Sequence, residues 1–341
     1  MRGLFLNAIF KIVSIIMGTF IGAGFASGKE IYIFFLKYSF LGLIGILISS
    51  VFIGITIYKT IKICKINKCK DYNEFLDIII KNKYIKLILK CTINIFLIIT
   101  FCIMIAGFCG FMKQEFNFNI IVSYILIMMC ILPFYKNIKG IIKINDILIP
   151  IIIISILLIS GGSINENINF NNIKLEDGIN IKFAIKSILY ANYNLLTIIP
   201  IIITIYELVT VKKQAKIISI ITSFLIGGLS IILFITLSGC SSEILNLDMP
   251  VISIIGNGNY LFKYYYCFII CIAIITTSIS VGFGHLEKYK KNRALYNMNA
   301  LILIIGSIIS MKIGFSKLVE ILYPMFGFVG VIQSYFILKK K

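Results

Sequence analysis

Gly18-Thr19-Phe20-Ile21-Gly22-Ala23-Gly24-Phe25-Ala26-Ser27-Gly28 stands in the middle of an otherwise apolar run over residues 8–37. Glycine relieves helical geometry at little steric cost. Within a bilayer, non-helical backbone is tolerated only where it is buried in protein or lines a cavity. The stretch therefore reads as an interruption of a membrane helix at Gly22–Gly24, followed by the shorter segment Lys29–Tyr38. Close helix packing is the competing reading, because Gly18/Gly22 and Gly24/Gly28 both have the GxxxG spacing.

The surroundings support a membrane setting. Of 341 residues, 59% are apolar and only 14% charged, and the mean hydropathy is +1.01. A bilayer core of roughly 30 Å needs about 20 apolar residues per helix. Apolar runs recur at approximately 8–37, 39–63, 85–112, 119–135, 143–163, 184–208, 214–240, 261–285, 295–313 and 317–338. The expectation is an all-α integral membrane protein of about ten spans, with 1–341 a single transmembrane domain. The N-terminal Met1–Ala26 imitates a secretory signal, but cleavage would remove one span of many, and it is read as retained.

The formal charge of +19 does not point to nucleic acid, because the basic residues lie in the gaps between apolar runs. Abundant Ile, Lys, Asn and Tyr also fit an AT-rich coding sequence. With the N-terminus inside, 24 of the 33 basic residues fall in cytoplasmic segments, and eight of the 14 acids fall outside. That bias follows the positive-inside rule for an even number of spans with both termini cytoplasmic. It puts Lys59–Lys86 in the cytoplasm and Ser163–Lys182 outside. Nine cysteines form no CxxC pair, and most read as small packing residues. No metal centre, nucleotide loop or nucleophile–base pair is expected, and an enzyme is not the reading.

A second unusual run, Tyr190-Ala191-Asn192-Tyr193-Asn194, lies inside the sixth span, with Pro200 six residues on. It sits 170 residues after Gly22, and the following span starts repeat at offsets of 174 to 176. Two tandem halves, approximately 8–163 and 184–338, would each open with a broken helix. Five spans per half is odd, so the halves would be inverted, the arrangement in which paired discontinuous helices mark a binding site.

The run GTFIGAGFASGKE at Gly18–Glu30 resembles the N-terminal signature of the YkvI-type family of bacterial membrane proteins. Tyr190–Asn194 is similar to that family's sixth-helix motif, although Lys29 stands where a glutamine-like residue is usual. The family resembles the amino acid–polyamine–organocation group. The resemblance implies the leucine-transporter fold, a 5+5 inverted repeat with discontinuous helices 1 and 6, and a cation-coupled carrier of amino acids or other small organic solutes.

Candidate substrate-binding residues are Gly22, Ala23, Gly24, Phe25, Glu30, Tyr190, Asn192, Tyr193 and Asn194. An unwound helix at Gly22–Gly24 would leave free N–H groups on a half-helix starting near Phe25, suited to a carboxylate. Glu30 is an acid in a membrane helix, expensive and by default functional. It is read as taking a substrate amine, a coupling proton, or a base such as Lys29, against the alternative of an exposed acid at the external mouth. Asn192 and Asn194 offer both donor and acceptor. Thr276, Thr277, Ser278 and Ser280 interrupt the eighth span. They resemble the sodium-coordinating hydroxyls of leucine-transporter-like carriers, which makes Thr19, Gly22, Thr276, Thr277 and Ser278 candidate ion ligands. Back-bonding of hydroxyls to the preceding turn is the competing reading. His285 is read as a surface residue, and Glu207 and Asp146 as interfacial acids.

The expected protein is a secondary active transporter of a small organic solute, an amino acid or related amine, coupled to sodium or protons by alternating access. It needs no cofactor beyond the coupling ion. Its surroundings are the bilayer of a bacterial cytoplasmic membrane, and it is a monomer or homodimer. A membrane ligand receptor of the same fold, spore-germination permease-like, is the alternative.

Overall fold

A computed structural model describes residues 2–118, 121–136, 149–161, 181–255 and 260–340. Asp146 and nearly all of Ser163–Lys182 lie outside the described residues. In chain order the helices are α1 (Arg2–Phe20), α2 (Ala23–Ala26), α3 (Lys29–Phe34), α4 (Ser39–Asn67) and α5 (Tyr72–Ile79). Then come α6 (Lys83–Phe116), α7 (Ile121–Lys136), α8 (Ile149–Gly161), α9 (Lys182–Ile205) and α10 (Lys212–Ser238). The last are α11 (Ser242–Asn246), α12 (Pro250–Ile255), α13 (Tyr260–Leu286), α14 (Arg293–Ile313) and α15 (Phe315–Lys339).

Among the described residues seven helices are long and apolar enough to cross a membrane, and Ala8–Phe20, Ile121–Ile131 and Ile149–Gly161 are shorter apolar helices. The boundaries follow from local chemistry. Asn82 and Asn292 cap α6 and α14 by accepting from the first N–H groups, a preferred N-cap role. Lys68 and Asn117 take left-handed conformations that end α4 and α6.

The lysine-rich segment between the second and third apolar runs contains a helix, α5. Asp71 caps α5 by accepting from the Glu74 N–H, and the Glu74 carboxylate accepts from the Lys70 N–H. Phe75, Leu76 and Ile79 form its buried face. Lys86, 2.7 Å from Asp77, holds that carboxyl below the usual range.

α9 packs between α4 and α15, α10 packs on α4 and α1, α13 and α14 pack on α6, and α7 packs on α13. α8 meets α1 where Ile149 covers Gly18. It meets α10 through Thr236, which donates to Ser160 at 2.8 Å. Membrane helices gain little hydrophobic drive from one another, so close approach and interhelical hydrogen bonds carry the packing. Ser223 donating to the Ser50 carbonyl (2.7 Å) ties α10 to α4 in this way.

The two faces of the bundle are distinct. On one, Lys59 donates to the Leu338 carbonyl and Lys340 to the Ile78 carbonyl, which brings α4, α5 and α15 together. On the other lie α11, α12 and the Lys37–Glu320 ion pair.

Candidate functional site

The first interruption is where the glycines put it. α1 stops at Phe20, and Gly22 is extended (φ −94°, ψ −178°) before α2 begins. The half-helix expected from about Phe25 is different in form: α2 starts at Ala23 and lasts four residues. Gly28, at φ +80°, then turns the chain into α3. That left-handed conformation is cheap only for glycine, and Val251 and Leu237 close over it. The GxxxG seam does not form, because Gly18 faces Ile149, Gly24 faces Glu30, and Gly28 faces α10 and α12.

The sixth span corrects the expectation of a second break. α9 is continuous from Lys182 to Ile205, with Pro200 inside it. The Asn192 amide donates to the Ile188 carbonyl (2.7 Å) and the Asn194 amide to the Tyr190 carbonyl (3.0 Å). These side chains thus bond back onto their own helix. The glycines that matter here belong to α15. A side chain on Gly330 would strike the Asn192 carbonyl, and one on Gly327 would come within 2.6 Å of the Leu189 carbonyl. The Asn192 side-chain oxygen accepts from Ser334 of α15. A tightly covered helix has no room to unwind.

Glu30 and Tyr193 meet at the centre of this arrangement. Glu30 is buried at 4% exposure, and the Tyr193 hydroxyl donates to its Oε2. Its carboxyl folds back over Gly24, where any side chain would overlap it. Of the readings of Glu30, the alternative of an exposed acid and the pair with Lys29 do not hold. Lys29 turns away and donates to the Leu245, Asn246 and Leu247 carbonyls at 2.8–3.1 Å.

Aromatic rings surround the pair. Tyr193 stacks on Tyr323 (4.6 Å) and Phe34 (5.6 Å). Tyr190 meets Tyr193, Phe34, Phe35 and Phe20 edge-on at 4.7–6.2 Å, and Phe20 lies 4.9 Å from Phe25. Ala23, Phe25, Tyr190 and Asn192 are fully buried. Ser230 of α10 lies within reach of the Tyr190 hydroxyl, which makes no close hydrogen bond among the described residues. Tyr323 and Phe34 escaped the sequence reading, since a tyrosine or phenylalanine in an apolar run carries no signal of what it stacks against.

The Thr19, Thr276 and Ser278 hydroxyls among the ion candidates bond back onto their own helices. Thr276 donates to the Ala273 carbonyl and Ser278 to the Ile274 carbonyl, while Thr19 donates to the Ile15 carbonyl. Ser278 also lies within hydrogen-bonding reach of Cys130 on α7. α13 touches the first interruption through Tyr266, whose hydroxyl donates to the Ala26 carbonyl at 2.7 Å. Thr276 is ten residues further along α13, about 15 Å on a regular helix.

One further residue differs from expectation. His285 is buried, with Nε2 3.0 Å from the Asn299 side-chain oxygen, because α14 folds over it. Cys64 and Cys69 are buried free thiols, and burial pushes the Cys69 thiol up, which makes it a poor nucleophile. Among the described residues no three His, Cys, Asp or Glu side chains converge as a metal site.

Above the site, the segment joining α10 to α13 is bonded to the first span. The Val251 N–H donates to the Ser27 carbonyl at 3.1 Å. Gln114 of α6 holds Met249 from both sides, at 3.0 and 3.1 Å. Beside it a cavity of about 360 Å³ is lined by Tyr32, Leu36, Ser39, Ser238, Cys240 and Leu245.

No family model matches the chain. YyaD of Bacillus subtilis is 26% identical over 337 residues, covering 94% of this chain and 93% of that one. The membrane protein YkvI of the same organism is 25% identical over 335 residues, covering 94% and 92%. Two mutant forms of the manganese transporter of Eremococcus coleocola superpose with TM-scores of 0.52 and 0.53 at 11% identity. Each match covers 97% of this chain and 71% of that one. A likeness at that identity speaks to fold alone. The buried glutamate behind a glycine-broken first helix thus belongs to a multi-pass membrane chain that is similar over 94% of its length to YyaD and YkvI and shares its fold with the Eremococcus coleocola manganese transporter.

Proposed function

We propose that this protein is a secondary active transporter of a small organic solute bearing an amine, bound between the first and sixth spans. The observation that carries the reading is the Glu30–Tyr193 contact beside the interruption at Gly22. It is an ionisable group deep in a membrane bundle, enclosed by rings and joined to a second helix. Intramembrane acids of this kind mark solute and proton pathways.

The 5+5 inverted repeat is part of the proposal and is supported by the packing. Exchanging α1, α4, α6, α7 and α8 for α9, α10, α13, α14 and α15 maps the α4–α10 and α6–α13 contacts onto themselves. It also maps α4–α9 onto α10–α1 and α6–α14 onto α13–α7. The α15–α9 and α15–α4 contacts map onto α8–α1 and α8–α10. The halves differ in that only the first opens with a broken helix. The face carrying Lys59 and Lys340 is assigned to the cytoplasm by its lysines, with both termini there and the protein in a bacterial cytoplasmic membrane.

Two coupling ions are open to this architecture. A sodium ion would use the Thr277 hydroxyl and the lone pairs left on Thr276 and Ser278 after their back-bonds, with carbonyls near Thr19 and Gly22. A proton would use Glu30. The engagement of Thr276 and Ser278 by their own helix, together with a buried Glu30 that no cation pairs with among the described residues, favours the proton. Uptake into proteoliposomes, driven in turn by a sodium gradient and by a pH gradient, tests both. Accumulation under a pH gradient alone is the expected result. Saturable ligand binding without flux under either gradient would favour a receptor on the same fold.

A further inference from the structure

Resting on the reading that Glu30 and Tyr193 form the solute site, we infer that the solute is an organic ammonium without a carboxylate. It replaces a proton on Glu30, so the protein exchanges amine for proton.

The charge inventory of the chamber carries this. Glu30 supplies one carboxyl, and among the described residues no cation is paired with it. Lys29 is held by three carbonyls, Lys37 is 2.6 Å from Glu320, and Lys186 lies over the outer Phe34 ring at 5.7 Å. The polar groups facing Glu30 from other elements are the hydroxyls of Tyr190 and Tyr193 on α9 and Tyr323 on α15. Ser230 of α10 lies behind Tyr190. Tyr266 of α13 is already bonded to the Ala26 carbonyl. A bare carboxylate in such surroundings is costly, so the group requires either a proton or a ligand's positive charge. The ring faces of Phe34, Tyr190, Tyr193 and Tyr323 favour the cation and its apolar body.

The same geometry disfavours a zwitterion. A substrate carboxylate was expected at the backbone opened by Gly22–Gly24, but the Glu30 carboxyl itself lies over Gly24. A second carboxylate would meet a like charge, and among the described residues neither lysine nor arginine is paired with Glu30 to balance it. α2, at four residues, adds little dipole.

Exchange then balances simply. The Glu30 O–H bond breaks, its proton leaves to water on the open side, and the arriving ammonium donates to the freed carboxylate oxygen. Tyr193 keeps its own proton and goes on donating to the other oxygen. The loaded site is neutral with either occupant, so one amine moves against one proton.

The test uses the full-length protein and a matched pair of probes, phenethylamine and phenylalanine, which differ by a carboxylate. Phenethylamine is expected to raise the melting temperature and bind at least about tenfold more tightly than phenylalanine, the factor that one lost charge contact is worth. Binding should release about one proton per amine into a weakly buffered solution, as replacement of a bound proton requires. Glu30→Gln, shown folded by its own melt, should abolish proton release and weaken amine binding by about tenfold or more. Should Glu30→Gln fail to fold, Tyr193→Phe, which keeps the carboxyl, must still release the proton. Phenylalanine binding as well as the amine, amine binding without proton release, or no binding of either probe at millimolar concentration each overturns the inference. The transporter reading fails separately. Amine binding with proton release but no flux removes transport and keeps this site, whereas gradient-driven phenylalanine flux without amine binding does the reverse.

Discussion

The first and sixth spans carry similar warnings in their sequences and meet opposite fates. Both place a polar, helix-disfavouring cluster at mid-depth, yet one opens at Gly22 and the other runs unbroken through Asn192 and Asn194. The difference lies in what meets the backbone. In the first span the glycines are in the chain that breaks, Gly28 sits in a left-handed turn, and the Glu30 carboxyl fills the space beside Gly24. In the sixth, the asparagine amides bond to carbonyls one turn back, and the glycines lie on the neighbouring α15, pulling it close. Glycine within a helix loosens it. Glycine on the partner locks it.

This contrast can be broken by substitution, and the largest effect should come from Gly28→Val. A β-branched residue at φ +80°, pressed against Val251 and Leu237, should cost about 3 kcal/mol from backbone strain and overpacking together. Melting followed by a thiol-reactive dye, which reports release of the buried cysteines, measures the loss. An unchanged melting temperature would mean that the second turn of the first span is not held as described.

Gly330→Leu attacks the other side. With the Asn192 carbonyl in the way, α15 must move off α9, at a cost of about 2 kcal/mol. The same melt reads it. A neutral result would remove close α15 packing as the reason that α9 stays whole.

Asn192→Ala is smaller and more discriminating. If the amide serves only its own helix and Ser334, stability should fall by about 1 kcal/mol and solute affinity should scarcely move. A drop in affinity without loss of stability would return Asn192 to the binding site proper.

Thr276→Ala and Ser278→Ala should each change stability by no more than about 0.5 kcal/mol, because a back-bonding hydroxyl contributes little to its helix. The informative readout is sodium dependence of uptake, expected to be absent in the parent protein and unchanged in the variants. A sodium requirement that these substitutions weaken would restore the hydroxyl site.

The smallest effect belongs to Lys37→Met. Lys37 and Glu320 are 38% and 51% exposed, so losing their pair should cost less than about 0.5 kcal/mol. A larger loss would show that the outer ends of α4 and α15 are latched more firmly than a surface ion pair allows.

Much of this architecture was legible in one dimension. Ten apolar runs, the Asn and Gly residues at their ends, and lysines in the gaps follow from the cost of placing polar groups in hydrocarbon, which each residue meets largely on its own. The break at Gly22 belongs to the same class, because a glycine's freedom is a local property. The α5 helix could also have been read from Asp71, Glu74 and the spacing of Phe75, Leu76 and Ile79. Other features depend on a second helix. Whether Asn192 unwinds its span depends on Gly327 and Gly330 more than 130 residues away in the chain. Whether Lys29 pairs with its neighbour Glu30 depends on three carbonyls at the end of α11. Whether His285 meets water depends on α14 folding over it. Burial, stacking and the choice of hydrogen-bond partner belong to pairs of elements, and a pair comes into being only when the chain has folded.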